Sequence, residues 1–389
     1  ALVAMGGGGV DAKPAAAGAA PGKSPGKKEK EKASTSAYSE SSYDRHREKK
    51  IRKAKRESRS ELSVSKGEWQ KHGYNTMPGL CDAAGVNDIV PRIHVDDVTP
   101  DEFIERFEKP GVPVVIRGIC DRWAATREWT EEKLAAKYGE HKFKVGSDDD
   151  GYAVRMKLKH YLWYIHDSEH AKDDSPMYIF DGTFADRSGS KGMFEDYELP
   201  LYFREDLFQH VGERRRPPHR WVVMGPARSG SGLHIDPLAT AAWNALISGR
   251  KRWALFPPGT PREHVLPKFP GLDREAASWF HKVYPRTKSP GWPVAPVVDL
   301  IQEAGEVVYV PGGWWHAVLN IEPTVAVTHN FCSTTNFPKV WRRTAKGRPK
   351  MSRKLLGVLR KIRPDLAAIA DQQAEEDPPR PCCHRRPAG

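Results

Sequence analysis

The sequence predicts a mainly β protein, an antiparallel sandwich or barrel with helices before and after it. Short runs of β-branched and aromatic residues recur after residue 140 and are separated by Gly, Pro and Asp. This pattern is typical of short antiparallel strands joined by turns. Helix-capping signals occur before residue 140, and apolar residues at helical spacing return after residue 346. With 39% hydrophobic residues among 389, the chain can form one sizeable core.

The first predicted helix starts at Thr99-Pro100-Asp101-Glu102, which combines a Thr N-cap, a Pro at the first helical position and acids in the first turn. Pro110-Gly111 ends this helix, and a short buried strand follows over residues 113–116. Thr130 caps a second helix that extends to Tyr138.

Eight strands are predicted after these helices, over residues 142–145, 177–180, 220–224, 241–246, 252–256, 307–310, 317–320 and 325–330. The chain then becomes helical again, because apolar residues recur at helical spacing on both sides of Pro364. These residues are Leu355, Leu356, Leu359, Ile362, Leu366 and Ile369.

The net charge of +12 is concentrated at the two ends of the chain. Residues 1–59 carry 15 Lys and Arg against 7 Asp and Glu, and residues 339–389 carry 14 against 5, so the part between them is mildly acidic. Basic arms of this kind predict binding to RNA or acidic proteins, or import into the nucleus. Solvated, disordered tails are the alternative interpretation.

We predict a disordered low-complexity tail over residues 1–42, a basic segment over 43–68, a helical and strand support over 69–140, the barrel over 141–338, a basic helical region over 339–372 and a disordered tail over 373–389. The basic segment suits a helix but shows no apolar face, so folded structure is expected to begin near Trp69. Five irregularly spaced cysteines favour a reducing compartment. No apolar run reaches the roughly 18–20 residues of a membrane helix, so no membrane contact is expected.

His234-Ile235-Asp236 is the first part of a candidate metal site. On a strand, residues two apart face the same side, so both side chains would reach one ion. His316, at the exit of a turn that follows a hydrophobic strand, offers a third ligand. Two His and one carboxylate leave open coordination positions, as in non-haem Fe(II) oxygenases. The chain holds a second such tripeptide, His94-Val95-Asp96, without this context.

Lys251, 17 residues after His234, supports the same hypothesis. A lysine that points into a barrel is costly in free energy unless it meets an anion, and a dicarboxylate cosubstrate would supply one. Because Arg250 and Arg252 flank it, a solvated lysine among basic neighbours is the alternative.

The chain resembles the jumonji-domain oxygenases, most clearly over residues 234–257 and 305–338 and further over 173–181, 215–221, 284–287 and 347–350. The resemblance extends from about residue 50 to about residue 371. It implies a double-stranded β-helix, which is a jelly-roll or cupin-like barrel. It also implies Fe(II), 2-oxoglutarate and O₂, with ascorbate as a supporting reductant.

The resemblance further implies a lysyl hydroxylase with a second, methyl-arginine demethylase activity. The implied targets are Lys/Arg-rich segments of splicing factors and histones, which connects the chain to mRNA processing, chromatin regulation and the nucleus. A homodimer formed through the C-terminal helices is implied as well. The serine-rich C-terminal tract of the family is absent, and residues 267–274 form a shortened loop.

Carried over position by position, the resemblance implies three groups of site residues. Those that hold iron are His234, Asp236 and His316. Those that bind 2-oxoglutarate are Lys251, Asn244, Thr328, Asn320, Ser231 and Tyr178, where Ser231 replaces a Thr of the family. Those that face the protein substrate are Trp221, Glu275 and Asn330.

Other interpretations of these residues and of the whole chain remain open. Thr328 and Asn320 would simply complete strand hydrogen bonds, Trp221 would be core, and Glu275 would be a surface acid on a helix. An RNA- or protein-binding module on a non-catalytic cupin scaffold would have no use for the metal ligands or for Lys251. Oxygenation of RNA itself is a third hypothesis.

Overall fold

The computed structural model describes residues 27–376, and the parts of the predicted tails before and after this range lie outside the described residues. The chain divides into two compact units, residues 1–49 and residues 50–389. In the described part of the first unit, Arg47 pairs with Asp44 at 2.6 Å along a helix.

The α-helices of the described residues are α1 (Lys27–Ser58), α2 (Pro100–Phe103), α3 (Ala125–Glu128), α4 (Glu131–Tyr138), α5 (Leu158–His166), α6 (Arg262–Val265), α7 (Ala276–Lys282), α8 (Phe337–Gly347), α9 (Pro349–Ile362) and α10 (Pro364–Glu376). A π-helical turn, Ile104–Glu108, continues α2. Short 3₁₀ turns lie at Tyr74–Thr76, Cys120–Arg122, His170–Lys172, Phe184–Asp186, Lys191–Phe194, Leu201–Phe203, Leu207–Val211, Pro237–Ala239 and Tyr284–Lys288. None of the described helices has the length and apolar character needed to cross a bilayer.

The strands are β1 (Arg92–His94), β2 (Val114–Arg117), β3 (Lys142–Ser147), β4 (Ala153–Lys157), β5 (Ile179–Asp181), β6 (Arg220–Gly225), β7 (Gly230–His234), β8 (Ala241–Ser248), β9 (Lys251–Phe256), β10 (Val298–Gln302), β11 (Val307–Val310), β12 (Trp315–Asn320) and β13 (Thr324–Phe331). All eight predicted strands are present, with ends shifted by a few residues.

Two sheets form the body of the molecule. The large sheet has the order β1-β2-β11-β8-β13-β6-β5, and the small sheet has the order β10-β9-β12-β7. From β6 to β13 the chain passes repeatedly from one sheet to the other, which is the winding of a jelly roll. The predicted fold class, a mainly β jelly-roll barrel with flanking helices, is therefore confirmed.

Side-chain alternation along the strands divides the core into an inside and an outside. On β11, Val308 faces the interior and packs in one cluster with Leu255 of the small sheet. Tyr309, the next residue, faces outward and meets the ring of Phe103 from α2 at a centroid distance of 5.3 Å. Helices thus cover the outer face of the large sheet, while the interior remains available for a site.

The predicted capping signals act as expected at both N-terminal helices. The Thr99 hydroxyl accepts a hydrogen bond from the backbone of Glu102, whose carboxylate binds back to the Thr99 amide, so a complete capping box is formed. Thr130 caps α4 in the same way, through the backbone N–H of Lys133.

The end of helix α1 is packed against the folded unit, and this corrects the expectation that the basic segment has no buried face. Ile51 and Ala54 are buried, and the fully buried Lys55 ammonium lies 2.8 Å from the Asp173 carboxylate. Folded structure therefore begins well before Trp69. About half of the residues on this buried face of α1 are polar or charged, so hydropathy does not distinguish the face from the exposed side of the helix.

The three C-terminal helices pack on the chain's own residues. Leu355, Leu359 and Leu366 are buried in one cluster with Phe208, which lies in a 3₁₀ turn between β5 and β6. The apolar face that the sequence offers for a dimer is thus already covered, whereas Ile362 on another side is 47% exposed. The homodimer stays a prediction.

Candidate metal centre and cosubstrate pocket

Pairing between β7 and β12 brings the three predicted metal ligands together. His316 of β12 lies directly opposite His234, the last residue of β7. Asp236 follows two residues later, and the ligand atoms of all three side chains lie within 4.8 Å of one another. The arrangement joins residues that are 82 positions apart in the sequence, so it depends on the register of the small sheet.

Asp236 does not lie on a strand, which corrects the geometry that the sequence predicts. Strand β7 ends at His234, and Asp236 begins the 3₁₀ turn Pro237–Ala239. Leu238 and Ala239 in this turn have positive φ angles of 59° and 56°, a conformation that costs free energy for residues other than Gly. Backbone strain is therefore present beside the carboxylate ligand.

Both histidines direct the same ring nitrogen toward the common point. Nδ1 of His234 donates to the Gly232 carbonyl at 2.8 Å, and Nδ1 of His316 donates to the Trp314 carbonyl at 3.2 Å. These bonds fix the tautomer that keeps each Nε2 lone pair free for a metal. Nε2 of His234 lies 3.8 Å and Nε2 of His316 lies 4.0 Å from the Asp236 carboxylate.

Burial keeps one of these ligands neutral. Burial, together with the neighbouring His234, lowers the pKa of His316 to about 4, in spite of the Asp236 charge. The imidazole is therefore unprotonated at neutral pH and needs to lose no proton before it binds a metal.

Lys251 is buried without a carboxylate partner among the described residues. Its ammonium group lies 3.4 Å from the Tyr178 hydroxyl, and its side chain is 1% exposed. Burial lowers the pKa of Lys251 from 10.5 to about 7 and raises the pKa of Tyr178. A lone cation at this depth is costly, so the site is suited to an anion that arrives from solution.

We call the cavity around these groups the metal pocket. It is lined by Tyr178, Phe180, Val223, Ser231, His234, Asp236, Ala242, Trp243, Asn244, Lys251, Trp253, Val310, His316, Val318, Thr328 and Asn330. Five of the six residues predicted to bind 2-oxoglutarate are among them. The sixth, Asn320, is paired with Lys251 in the small sheet and donates to the Ser229 hydroxyl at 2.9 Å.

The polar side chains of the metal pocket differ in whether their hydrogen-bonding atoms already have partners. The Thr328 hydroxyl donates to the Trp243 carbonyl at 2.8 Å, so its proton completes a strand contact while its oxygen still accepts. The side-chain oxygen of Asn244 is buried with no hydrogen-bond partner in the described structure. Buried polar atoms are rarely left unpartnered, so Asn244 is suited to a ligand.

The structure separates the three residues predicted to face the protein substrate. Asn330 lines the metal pocket, where its amide donates to Thr240 at 3.0 Å. Trp221 lies outside the lining and packs on Phe180 at a centroid distance of 5.4 Å. Glu275 borders a different cavity, at the start of α7.

We call this second space the flanking cavity. It is lined by Ser58, Arg59, Lys144, Val145, Gly146, Ser147, Ser175, Pro176, Met177, Tyr178, Phe180, Arg274 and Glu275. Tyr178 and Phe180 line both cavities, so the two are neighbours. The guanidinium of Arg59 pairs with the Glu275 carboxylate. Burial raises the pKa of Glu275 even so.

Arg59 and Phe180 line these cavities but carry no signal in the sequence that marks them as site residues. Arg59 lies at the end of a basic run in which nothing distinguishes it from its neighbours, although Ile51, Ala54 and Lys55 precede it at helical spacing. Phe180 lies in a predicted strand, where an aromatic residue is ordinary.

The second tripeptide, His94-Val95-Asp96, forms no site. Its imidazole and carboxylate are 43% and 62% exposed and lie 3.5 Å apart, and no third ligand joins them among the described residues.

The residues of the metal pocket fit Fe(II) and a dicarboxylate. Two imidazole nitrogens and one carboxylate converge with their lone pairs available, a donor set that suits iron and leaves coordination positions open. Lys251 adds a lone ammonium group that can pair with a carboxylate of the ligand. Asn244 adds a buried oxygen without a hydrogen-bond partner among the described residues.

Comparison with known proteins identifies relatives over most of the chain. Residues 100–337 match the profile of a cupin-like domain. The chain is 45% identical over 335 residues to the bifunctional arginine demethylase and lysyl-hydroxylase psr-1 of Caenorhabditis elegans, covering 84% of this chain and 81% of that protein. It is 40% identical to the arginine-specific demethylase JMJ22 of Arabidopsis thaliana, covering 63% of this chain and 47% of that protein.

A more distant relative is named for its iron and 2-oxoglutarate dependence. The 2-oxoglutarate and iron-dependent oxygenase JMJD4 of Homo sapiens is 28% identical, covering 62% of this chain and 61% of that protein. The metal ligands, the buried lysine and the jelly-roll barrel agree with that chemistry. The chain therefore belongs to the cupin-like family of jumonji enzymes, the iron- and 2-oxoglutarate-dependent oxygenases.

Proposed function

We propose that this enzyme hydroxylates lysyl side chains in Lys/Arg-rich segments of nuclear RNA-processing proteins and, as a second activity, demethylates methyl-arginine in histones. The observation that carries the proposal is the 45% identity, over 84% of the chain, to a relative named for both reactions. The Glu275 carboxylate in the lining of the flanking cavity supports a cationic target, because a carboxylate favours ammonium and guanidinium groups.

The described residues have distinct tasks in this reaction. His234, Asp236 and His316 would hold the iron. Lys251 would bind the distal carboxylate of 2-oxoglutarate by a charge-assisted hydrogen bond, while Asn244 and the other polar lining residues would orient the cosubstrate. When bound, iron and 2-oxoglutarate supply the oxidation of a target C–H bond by O₂, coupled to decarboxylation to succinate.

One oxidation accounts for both proposed products. A hydroxyl group placed on a side-chain carbon of lysine remains as stable hydroxylysine. A hydroxyl group placed on an N-methyl carbon makes an unstable intermediate that releases formaldehyde and leaves the demethylated nitrogen. The chain's contribution is to exclude water and to place the target carbon, and the apolar lining residues Val223, Val310 and Val318 serve this purpose.

We also propose that the basic arms contact RNA and direct the chain to the nucleus, in roles related to mRNA processing and chromatin. Lys55 and Arg59 are buried in ion pairs, so contact with phosphate would fall to exposed residues such as Lys50 and Arg56. Such contacts weaken steeply as salt rises. A homodimer through the outer side of α9 and α10, and support of turnover by ascorbate, belong to the same proposal.

Intact-mass spectrometry tests the reaction directly. The full chain is incubated with Fe(II), ascorbate, 2-oxoglutarate and a Lys/Arg/Ser-rich peptide of the splicing-factor type, beside a His234→Ala control. We expect the peptide mass to rise by about one oxygen atom (~16 Da) only with the intact chain. Loss of a methylene from a methyl-arginine peptide would demonstrate the second activity.

Three results would overturn the proposal. Turnover of 2-oxoglutarate without any change in peptide mass would mean that the target class is wrong, and labelled oxygen found in RNA would point to RNA as substrate. A chain that binds no iron would instead support a non-catalytic RNA- or protein-binding module.

A further inference from the structure

Arg59 occupies an unusual position for a residue from a basic run. Its side chain is 7% exposed, and its guanidinium pairs with Glu275. It also lies 2.7 Å from the Glu61 carboxylate and 3.9 Å from the Asp273 carboxylate. Glu275 in the wall of the flanking cavity thus already binds one planar cation from the chain itself, and Arg274, whose side chain is 66% exposed, is a more distant second partner at 3.7 Å.

The segment that carries Glu275 lies beside the strand that carries a candidate metal ligand. A Cβ atom added to Gly232 would lie 2.2 Å from the Arg274 carbonyl oxygen, so the backbone just before Glu275 touches β7. Gly232 in turn accepts the hydrogen bond that orients His234. A cation bound at Glu275 would therefore be anchored next to the metal pocket.

The space between the two cavities is suited to a cationic side chain. Phe180 lines both cavities and is 37% exposed, so part of its ring is available to a cation. Tyr178 also lines both. Among the described residues that line the flanking cavity, Glu275 is the one carboxylate and Arg59, Lys144 and Arg274 are the cations, so a further cation fits best where one of these leaves.

We infer that Arg59 is a resident counter-ion of Glu275, and that the ammonium or guanidinium group of the target protein must displace it to reach the metal pocket. This inference rests on the proposed function and names the recognition residue of that same site. The Glu275 side chain is 21% exposed, and exchange of one cation for another avoids leaving this partly buried carboxylate without its main partner. The pKa of Glu275, which burial raises, is consistent with a carboxylate that needs a permanent partner.

The displaced arginine has a partner outside the cavity. Nε of Arg59 already donates to Glu61, whose side chain is 55% exposed. The guanidinium can therefore turn toward solvent and keep one ion pair while it releases Glu275. The exchange makes the site selective for cationic side chains over neutral ones, because a neutral side chain cannot replace the charge that leaves.

Steady-state kinetics on a lysyl peptide and on a methyl-arginyl peptide test the inference, with the full chain and three variants. In Glu275→Gln the carboxylate is lost, so we expect the peptide KM to rise about tenfold or more, an effect on the scale of one surface-accessible charged hydrogen bond. In Arg59→Gln the competitor is lost, so we expect the peptide KM to fall several-fold. Lys53→Gln, which removes an exposed charge on the same helix, is the matched control and should leave KM unchanged.

Glu275→Gln and Arg59→Gln should change the peptide KM in opposite directions, and this distinguishes exchange of Arg59 from a purely structural ion pair. If Arg59 only supports Glu275, Arg59→Gln will raise the peptide KM as Glu275→Gln does, and the inference is overturned. Arg59→Lys, which keeps the charge but loses the planar fork, should give a KM between those of the parent and Arg59→Gln if exchange operates. Thermal unfolding of each variant verifies that it is folded.

Failure of the inference differs from failure of the proposed function. No product from any cationic peptide with the parent chain would overturn the proposed function. Product from the parent chain together with a raised KM in Arg59→Gln would overturn only the displacement of Arg59.

Discussion

The metal pocket is lined mainly by residues of β-strands, whereas the flanking cavity is lined largely by loops, the end of α1 and the start of α7, together with residues of β3 and β5. In the metal pocket, strand register places His316 opposite His234 and Lys251 beside Asn320. In the flanking cavity, ion pairs such as Arg59 with Glu275 join segments that are 216 residues apart.

This difference teaches how chemistry and recognition are divided. Backbone hydrogen bonds within a sheet hold side chains to a fixed geometry, which oxidation of one carbon requires. An ion pair whose carboxylate is partly exposed, as that of Glu275 is, can be exchanged, as the proposed displacement of Arg59 requires. Substitutions in the two regions should therefore have different effects, on catalysis in the first and on stability or target affinity in the second.

The largest expected effect comes from a metal ligand. His234→Ala removes one of three ligands, so iron binding and product formation should fall by at least ~100-fold, since loss of even an outer partner of a ligand costs 10–100-fold. Iron content and succinate release measure it. His94→Ala, in the second tripeptide, is the matched control and should keep both. An active His234→Ala would show that the ligand set is wrong.

The next largest expected effect is on the free energy of unfolding, at the buried ion pair that anchors the end of α1. Lys55→Met leaves the buried Asp173 carboxylate without its cation, and loss of one partner of a buried ion pair costs about 3–5 kcal/mol. Chemical denaturation measures the free energy of unfolding. Lys53→Met changes an exposed lysine two residues earlier and should cost no more than about 0.5 kcal/mol. Equal costs for the two variants would mean that α1 is not packed as described.

Lys251 should behave in the opposite way to Lys55. Lys251→Met removes a buried cation that has no carboxylate partner among the described residues, so the free energy of unfolding should rise. The same change should weaken 2-oxoglutarate binding by about 2–5 kcal/mol, because the cosubstrate carboxylate loses its partner. Denaturation and the KM for 2-oxoglutarate measure the two effects. A destabilised variant with unchanged KM would place Lys251 in the core and outside the site.

The smallest expected effect is the pH dependence of cosubstrate binding. The pKa of Lys251 is about 7 in the folded chain against a usual 10.5. Above pH 7 the ammonium must regain a proton before it binds a carboxylate, so the KM for 2-oxoglutarate should rise by up to about tenfold per pH unit.

The stability of the free chain should change in the other direction. The unfolded state holds the Lys251 proton more tightly, so the contribution of Lys251 to the free energy of unfolding rises from pH 7 to 10.5 and is lowest below pH 7. KM and denaturation measured across this range test both trends. Lys251→Met should abolish both, and trends that persist in this variant would have to come from another group.

Most of the strands, the helix caps and the three candidate metal ligands can be recognised in the sequence alone. These features are local, because alternation, capping residues and a short metal-binding tripeptide are all contained within a few positions. The end of β7 was less predictable. The sequence places Asp236 on a strand, but the chain turns at Asp236, where Pro237 cannot donate to the ladder.

Only the tertiary structure decided which distant residues meet. The register that sets His316 opposite His234, the burial of Lys55 and Arg59 and the position of Glu275 beside β7 are all non-local. No periodic signal marks a buried lysine or arginine, because its charge looks the same in the sequence whether it faces water or a buried carboxylate. Burial and pairing are properties of the packed chain, and they determine whether a basic segment is a free arm or part of the site.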